Sequence, residues 1–321
     1  MGIAPGWLRI ILRTIAAAGQ PQIWCNCAAM RSFAWFLGLL LLALAVMAGL
    51  TYPVWQLLHP VFGFPFHRVA DRLGMLTLAV GFFLVARRLR LADRQSLGYA
   101  LPPRRFLREA AIALGIGVAL MAIIIGIMVA LHLRLLRPGV ELNAAVLARI
   151  AAQGLARGIG VALIEETFLR GAMWSGIARE SGALAATLLT SLIYALTHFV
   201  SSYHVPPDQI GWHSGIDMLA GSFGALARPW DVADAYICLF AVGVVLATVR
   251  MRTGNVAASL GLHAGWVWVI TFVRETSVAD TANPLHGLLS HFDGVVGWLV
   301  CAWVVLAGFA LERFYRWRVS R

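Results

Sequence analysis

Three separated stretches of the chain hold residues equipped for chemistry. The first reads Gly158-Ile-Gly-Val-Ala-Leu-Ile-Glu165-Glu166-Thr167-Phe168-Leu169-Arg170-Gly171, two carboxylates and a guanidinium in an otherwise apolar run. On insertion scales each such charge costs ~2.5–3.5 kcal/mol at the centre of a membrane helix, and intramembrane ionisable groups are functional by default. Glu166 and Arg170 are spaced i, i+4 and can pair on one helix face. Glu165 points about 100° away around the axis and is left free. Low dielectric and a neighbouring carboxylate both raise a carboxylate's proton affinity, which suits it to take a proton from water. The plainer reading is a structural ion cluster near the inner interface, its long side chains snorkelling to water.

Histidines mark the other two stretches, Tyr194-Ala-Leu-Thr-His198 and Asn255-Val-Ala-Ala-Ser-Leu-Gly-Leu-His263-Ala-Gly-Trp-Val267. A lone histidine among apolar residues is more often a hydrogen-bonded core residue. With the glutamates, these two offer three helices meeting at one polar pocket.

The elements that must position these residues are membrane spans. Hydrophobic residues make up 60% of the 321 and charged residues 13%, about half the ~25% usual in globular domains. Disorder, collagen and a small disulfide scaffold are excluded on the same figures. Runs near the ~20 residues that a bilayer core requires occur at about 33–52, 71–86, 110–133, 150–174, 182–200, 233–249, 255–273 and 294–311. The expected fold is an all-α membrane protein, a polytopic bundle of about eight transmembrane helices with a polar active site inside the bilayer. One transmembrane domain is expected over 31–321, with a catalytic core at about 150–273.

Net charge is +11 and every basic residue is arginine, a balance that in a soluble protein would point to nucleic acid. Here the arginines lie between apolar spans and read as topology. With the N-terminus inside, Arg87, Arg88, Arg90, Arg94, Arg104, Arg105 and Arg108 fall in one cytoplasmic loop. Arg250, Arg252, Arg170, Arg179, Arg9, Arg13, Arg31 and the C-terminal tail join them, 18 inside against 8 outside. Both termini are therefore expected in the cytoplasm of an inner (plasma) membrane protein, with no nucleic-acid partner.

Residues 1–30 read either as a segment with a short interfacial helix over Leu8–Ala18 or as residues ahead of a true start at Met30. No cleavable signal or myristoylation site is read there. Cys25 and Cys27 form a C-x-C without a second pair, and Cys238 and Cys301 read as small buried hydrophobes. His59, His67, His132, His204, His213, His286 and His291 fall in or beside outer loops; His213 and Asp217 alone do not make a metal site.

The order E-E-x-x-x-R, aromatic-x-x-x-H, then H-x-x-x-apolar, each in its own span, resembles the CPBP family. These are the CAAX-processing and bacteriocin-processing intramembrane proteases, also called the Abi or Rce1-type family. Arg252-Thr-Gly-Asn255 leading into His263 is similar to the family's third motif. The resemblance runs from Glu165 to Val267 and implies a role for each residue. Glu165 would activate the attacking water, which His198 helps to hold. Glu166 and Arg170 would form the supporting pair, and His263 would help stabilise the oxyanion. Tyr194 stands where Phe is usual, which adds a hydroxyl in need of a partner. Val267 stands where eukaryotic members have Asn, leaving Trp266, Trp268 or a backbone N–H to supply the second oxyanion donor.

Glu165, His198 and His263 would also serve as a His₂Glu zinc set with an open position. The adjacent Glu-Glu pair and the absence of H-E-x-x-H favour a metal-free glutamic site without a cofactor. The function expected is an endopeptidase that hydrolyses a membrane-anchored peptide or protein, near the cytoplasmic side of the lipid bilayer. A proton-coupled transporter using the Glu-Glu/Arg cluster and a non-catalytic scaffold or immunity protein are the competing classes. Counting at 1.5 Å per residue, Glu165 lies about 15 Å from the inner interface and His198 deeper, a gap that helix tilt must close.

Overall fold

The computed structural model describes residues 30–140, 143–200 and 203–319. The interfacial helix expected over Leu8–Ala18, Cys25 and Cys27 lie outside the described residues. The chain folds as helices α1 (Arg31–Phe62), α2 (Phe66–Arg88), α3 (Pro103–Ala130) and α4 (Ala144–Glu165). A π-helical segment, Glu166–Met173, joins α4 to α5 (Trp174–Thr197). Then come the short α6 (Ser214–Ser222), α7 (Ala233–Thr253), α8 (Ala257–Thr276) and α9 (Trp298–Val319). Two three-residue strands, β1 (Arg134–Leu136) and β2 (Ser277–Ala279), pair antiparallel with Arg134 opposite Ala279 and clamp one end of the bundle.

All eight apolar runs read from the sequence are helical. Among the described residues, six stretches are long and apolar enough to cross a membrane, one of them the 54 residues Ala144–Thr197. That stretch is broken at Gly182 (φ 83°, ψ 165°), so it supplies two rods. The remaining helix, α8, falls outside the six because His263, Arg274 and Glu275 dilute its apolar content. Its surroundings are protein instead: thirteen of its twenty residues are buried. The first span is longer than expected, since α1 passes through Pro53 and Pro60 and stops at Gly63 in the left-handed conformation (φ 62°). The chain is an integral membrane protein with an all-α polytopic fold.

Glycine lets α8 sit between two neighbours at backbone contact distance. A Cβ on Gly261 would lie 2.1 Å from the Ala110 carbonyl oxygen of α3, and one on Gly265 2.7 Å from that of Leu114. On the α4 side, a Cβ on Gly158 would meet the Ala264 carbonyl oxygen at 2.6 Å. Small residues spaced by four bring membrane helices this close, where van der Waals packing supplies the association. The start of α8 is fixed by Asn255, which accepts from the Ala257 N–H at 2.9 Å and donates to the Thr253 carbonyl at 2.9 Å. Arg252-Thr-Gly-Asn255 is thus the turn between α7 and α8, with Gly254 (φ 70°) ending α7.

Gly261→Ala should therefore lower stability by about 1–3 kcal/mol through overpacking. Gly115→Ala and Gly126→Ala, whose added Cβ atoms would meet nothing within 4 Å, should leave it unchanged or raise it by up to about 1 kcal/mol. Thermal unfolding of the detergent-solubilised variants reads the difference.

Candidate active site

The acidic stretch is not the plain α-helix that its apolar spacing suggests. Past Glu165 the backbone widens into the π-helix Glu166–Met173 before α-geometry resumes. Such bulges loosen the regular hydrogen-bond ladder and recur at functional sites. Arg250, near the end of α7, donates from Nε to the Arg170 carbonyl at 3.2 Å, giving that π-helical oxygen a partner. The guanidinium of Arg250 is itself buried and lies over the Trp174 ring, 5.3 Å from its centroid. Gly171 packs flush against the 89–102 loop, since a Cβ there would lie 2.9 Å from the Leu97 carbonyl oxygen.

Glu166 and Arg170 are both 0% exposed and paired, Arg170 Nη1 to Glu166 Oε1 at 3.0 Å. Arg170 also lies over the face of Tyr194, its Cζ 4.6 Å from the ring centroid. The aromatic of the second motif thus stabilises the buried cation through its π-face. His263, 2% exposed, brings its Nδ1 to Glu166 Oε1 at 3.0 Å and its Nε2 to within 3.8 Å of Glu165 Oε2. One imidazole therefore bridges the two glutamates. Glu165 keeps 31% of its side chain exposed, yet Oε2 is turned inward and has no hydrogen-bond partner among the described residues.

His198 follows the last turn of α5, with Nδ1 2.7 Å from the Tyr194 carbonyl oxygen and its ring 4.4 Å from that of Tyr194. Donation from Nδ1–H to that carbonyl leaves Nε2 as the free nitrogen. Tyr194, His198 and His263 line a cavity of about 280 Å³ together with Val242, Trp266 and Val267. Its α4 wall is formed by Arg157 and Val161; Glu165 continues the same four-residue spacing one turn further along. The other end of the cavity is rimmed by Arg274, Glu275 and Asp293, with Arg274 ion-paired to Asp293. That rim lies at the C-terminal end of α8, away from the arginine-rich 87–108 loop, which touches the other end of α8 through Gly98 and Val256.

Several expectations change in detail. Among the described residues no three His, Cys, Asp or Glu side chains are grouped as metal ligands, Glu165, His198 and His263 included. His213 and Asp217 likewise belong to no such group. Of the two tryptophans weighed as oxyanion donors, Trp266 borders the cavity, whereas Trp268 packs against Gly154. Cys238 is a cavity-lining residue as well as a buried small one.

Arg250 was grouped with the topological arginines, and its contact with the π-helix is the main site feature that the sequence reading misses. Nothing local separates it from Arg252, which instead pairs with Glu312 at 2.6 Å. Only the packing of two segments 80 positions apart reveals the difference. Tyr99 was missed in the same way; its hydroxyl lies 2.6 Å from Thr167 Oγ1, beside the acidic pair.

The family model described as type II CAAX prenyl endopeptidase, Rce1-like, matches residues 147–269. No curated protein and no solved structure matches the chain.

Two neighbouring acids thus stand in opposite environments, and substitution should separate them. Arg170→Leu leaves Glu166 charged and without its cation, and should cost about 3–5 kcal/mol of stability. Glu165→Gln removes no hydrogen bond and should change stability by less than about 1 kcal/mol. Detergent-phase unfolding of both variants against the parent provides the measurement.

Proposed function

We propose that the chain, whose residues 147–269 match the Rce1-like family model, is a CAAX-type intramembrane protease that hydrolyses peptide bonds of membrane-anchored peptides or proteins with water activated by Glu165. The observation that carries this reading is the inward Oε2 of Glu165, unbonded among the described residues and 3.8 Å from Nε2 of His263, which lines the cavity. A carboxylate oxygen free of hydrogen bonds is available to a substrate water, and low-dielectric surroundings strengthen each electrostatic interaction around it.

In this mechanism Glu165 takes one proton from the water as its oxygen adds to the scissile carbonyl, and the carbonyl becomes an oxyanion. His198 holds the water through Nε2, its other nitrogen being committed to the Tyr194 carbonyl. His263 is doubly protonated before and after the step and exchanges no proton in it. Its Nδ1–H donates to Glu166, whose charge stabilises the imidazolium, and Nε2–H faces the developing negative charge. Protonated Glu165 then gives its proton to the leaving amine as the carbon–nitrogen bond breaks. Arg170 and Tyr194 act through Glu166 by keeping it ionised and fixed. No step requires a metal.

The cavity's charged rim also bears on the direction of approach. With the arginine-rich 87–108 loop and both termini in the cytoplasm of an inner membrane, the rim at Arg274, Glu275 and Asp293 faces the opposite side. Substrate then enters from the outer end of the bundle, not from the cytoplasmic side expected from the sequence.

Glu165→Gln should lower cleavage of a membrane-anchored reporter peptide by about 10²–10⁴-fold in proteoliposomes, the range for a lost general base. Cleavage by the parent should survive chelation. Retention of activity in the variant rules out Glu165 as the base. Loss of proton-coupled flux without any cleavage in the parent would instead identify a carrier.

A further inference from the structure

A second polar cavity, of about 340 Å³, lies far from the acidic pair and takes no part in the chemistry above. Arg31, Arg88, Leu89, Arg90 and Glu180 line it, from the first residue of α1, the end of α2 and the stretch before the Gly182 break. Small-ligand sites typically measure about 300–1,000 Å³. Among the described residues, none of the three arginines makes an ion pair. Glu180, the single acid, is already engaged: its two oxygens accept from the Ser32 N–H at 2.8 Å and the Ser32 hydroxyl at 2.7 Å. Arg31 also stands at a helix N-terminus, where the backbone dipole disfavours a cation.

Arg90 adds an independent sign. It adopts φ 54°, a left-handed conformation that costs an L-residue with a side chain roughly 1–2 kcal/mol and is usually given to glycine. The turn itself is a regular helix stop, with Leu91 N–H reaching the Ala86 carbonyl at 2.7 Å and Leu91 buried beneath it. Arg179 holds this turn by donating to the Arg90 carbonyl at 3.2 Å. Glycine would serve the backbone better, so the arginine contributes something other than the turn: a third guanidinium on the cavity wall.

The apolar surroundings indicate where this cavity sits. One turn along α1 from Arg31 is Trp35, 43% exposed, and one turn back along α2 from Arg88 is Leu84, 59% exposed. The cavity therefore begins where the lipid-facing surface of two packed spans ends, at headgroup level, with a tryptophan at its edge. We propose that Arg31, Arg88 and Arg90 bind the phosphate of an anionic phospholipid, whose acyl chains lie along Trp35 and Leu84. Guanidinium forks match phosphate oxygens in pairs, and three of them around one cavity supply more donors than one phosphate can accept. The bound lipid braces the 89–102 loop, which in turn packs on Gly171 and on the start of α8. This site stands whether or not the chain is a protease.

The test uses the full-length protein in nanodiscs. Phosphatidylglycerol in place of phosphatidylcholine should raise the parent's Tm by about 5 °C, the scale expected for a saturated site. Replacing Arg31, Arg88 and Arg90 together by Gln should abolish that rise. Replacing Arg94 in the 89–102 loop together with Arg104 and Arg108 at the start of α3, all outside the cavity, removes equal charge and should preserve it. Arg90→Gly provides a variant certain to suit the turn: its Tm in phosphatidylcholine should exceed the parent's, and its response to phosphatidylglycerol should shrink. Equal loss in both triple variants overturns the site in favour of diffuse surface attraction. An equal rise on adding inorganic phosphate to phosphatidylcholine nanodiscs overturns the lipid and leaves a free-anion site.

Discussion

One fully buried carboxylate organises the centre of this protein. Glu166 has no exposure and receives both Arg170 and His263 on the same oxygen. A charge in that position is tolerable only when paired and hydrogen-bonded, because desolvation otherwise costs several kcal/mol per ion. One partner, the arginine, lies on the same π-helical segment as Glu166, and the other, the histidine, comes from α8. Tyr194 of α5 then covers the guanidinium with its ring. Three spans are tied together by the demands of one anion, and the orientation of His263 toward Glu165 follows from its attachment to Glu166.

That tie works only if the helices approach closely, which accounts for the glycines of α8. Gly261 and Gly265 admit the α3 backbone, and Gly158 of α4 admits the α8 carbonyl at Ala264, one residue from His263. Packing and chemistry are therefore coupled along a single helix. α8 is the least lipid-like of the long rods and the most enclosed, so its polar residues face protein where a more peripheral helix would present them to lipid. The π-helix is the matching device on the α4 side. It inserts the extra width that lets Glu165 and Glu166 face different environments while staying adjacent in sequence, and Arg250 satisfies the Arg170 carbonyl within it.

How much of this could be read from the chain alone depends on the range of each interaction. Helical runs, the Glu166–Arg170 pair and the free state of Glu165 follow from spacing within a few residues, and each was legible. Gly182 was legible only as a boundary between two apolar runs; its φ of 83° turns that boundary into a true break. Arg250 was not legible, because its burial depends on α7 packing against a segment 80 positions earlier. The π-helix was equally hidden, since its residues fit an α-helical pattern as well as a wider one. The direction of the cavity was masked too: depth counted along α4 places Glu165 about 15 Å from the inner interface and says nothing of which way the open space beside His263 runs.

The two glutamates also differ in what compensates their unsatisfied oxygens: Glu166 Oε1 receives a cation and an imidazole, and Glu165 has neither at hydrogen-bond distance. Leaving a buried charged oxygen without a partner costs on the order of 1–3 kcal/mol or more. Glu165 Oε2 bears that cost, as does Oε2 of Glu166, whose other oxygen receives both Arg170 and His263, and Leu163 and Ile164 before them are exposed on the lipid side. A sequence under pressure for stability alone would replace Glu165 with an apolar residue, as the neighbouring helix positions already are. Its retention next to a free imidazole nitrogen, one turn beyond the wall of a cavity, is the arrangement in which stability is given up for a reactive group. The energy that holds Glu165 in place comes from Glu166, Arg170 and the glycine-packed α8, none of which needs to react.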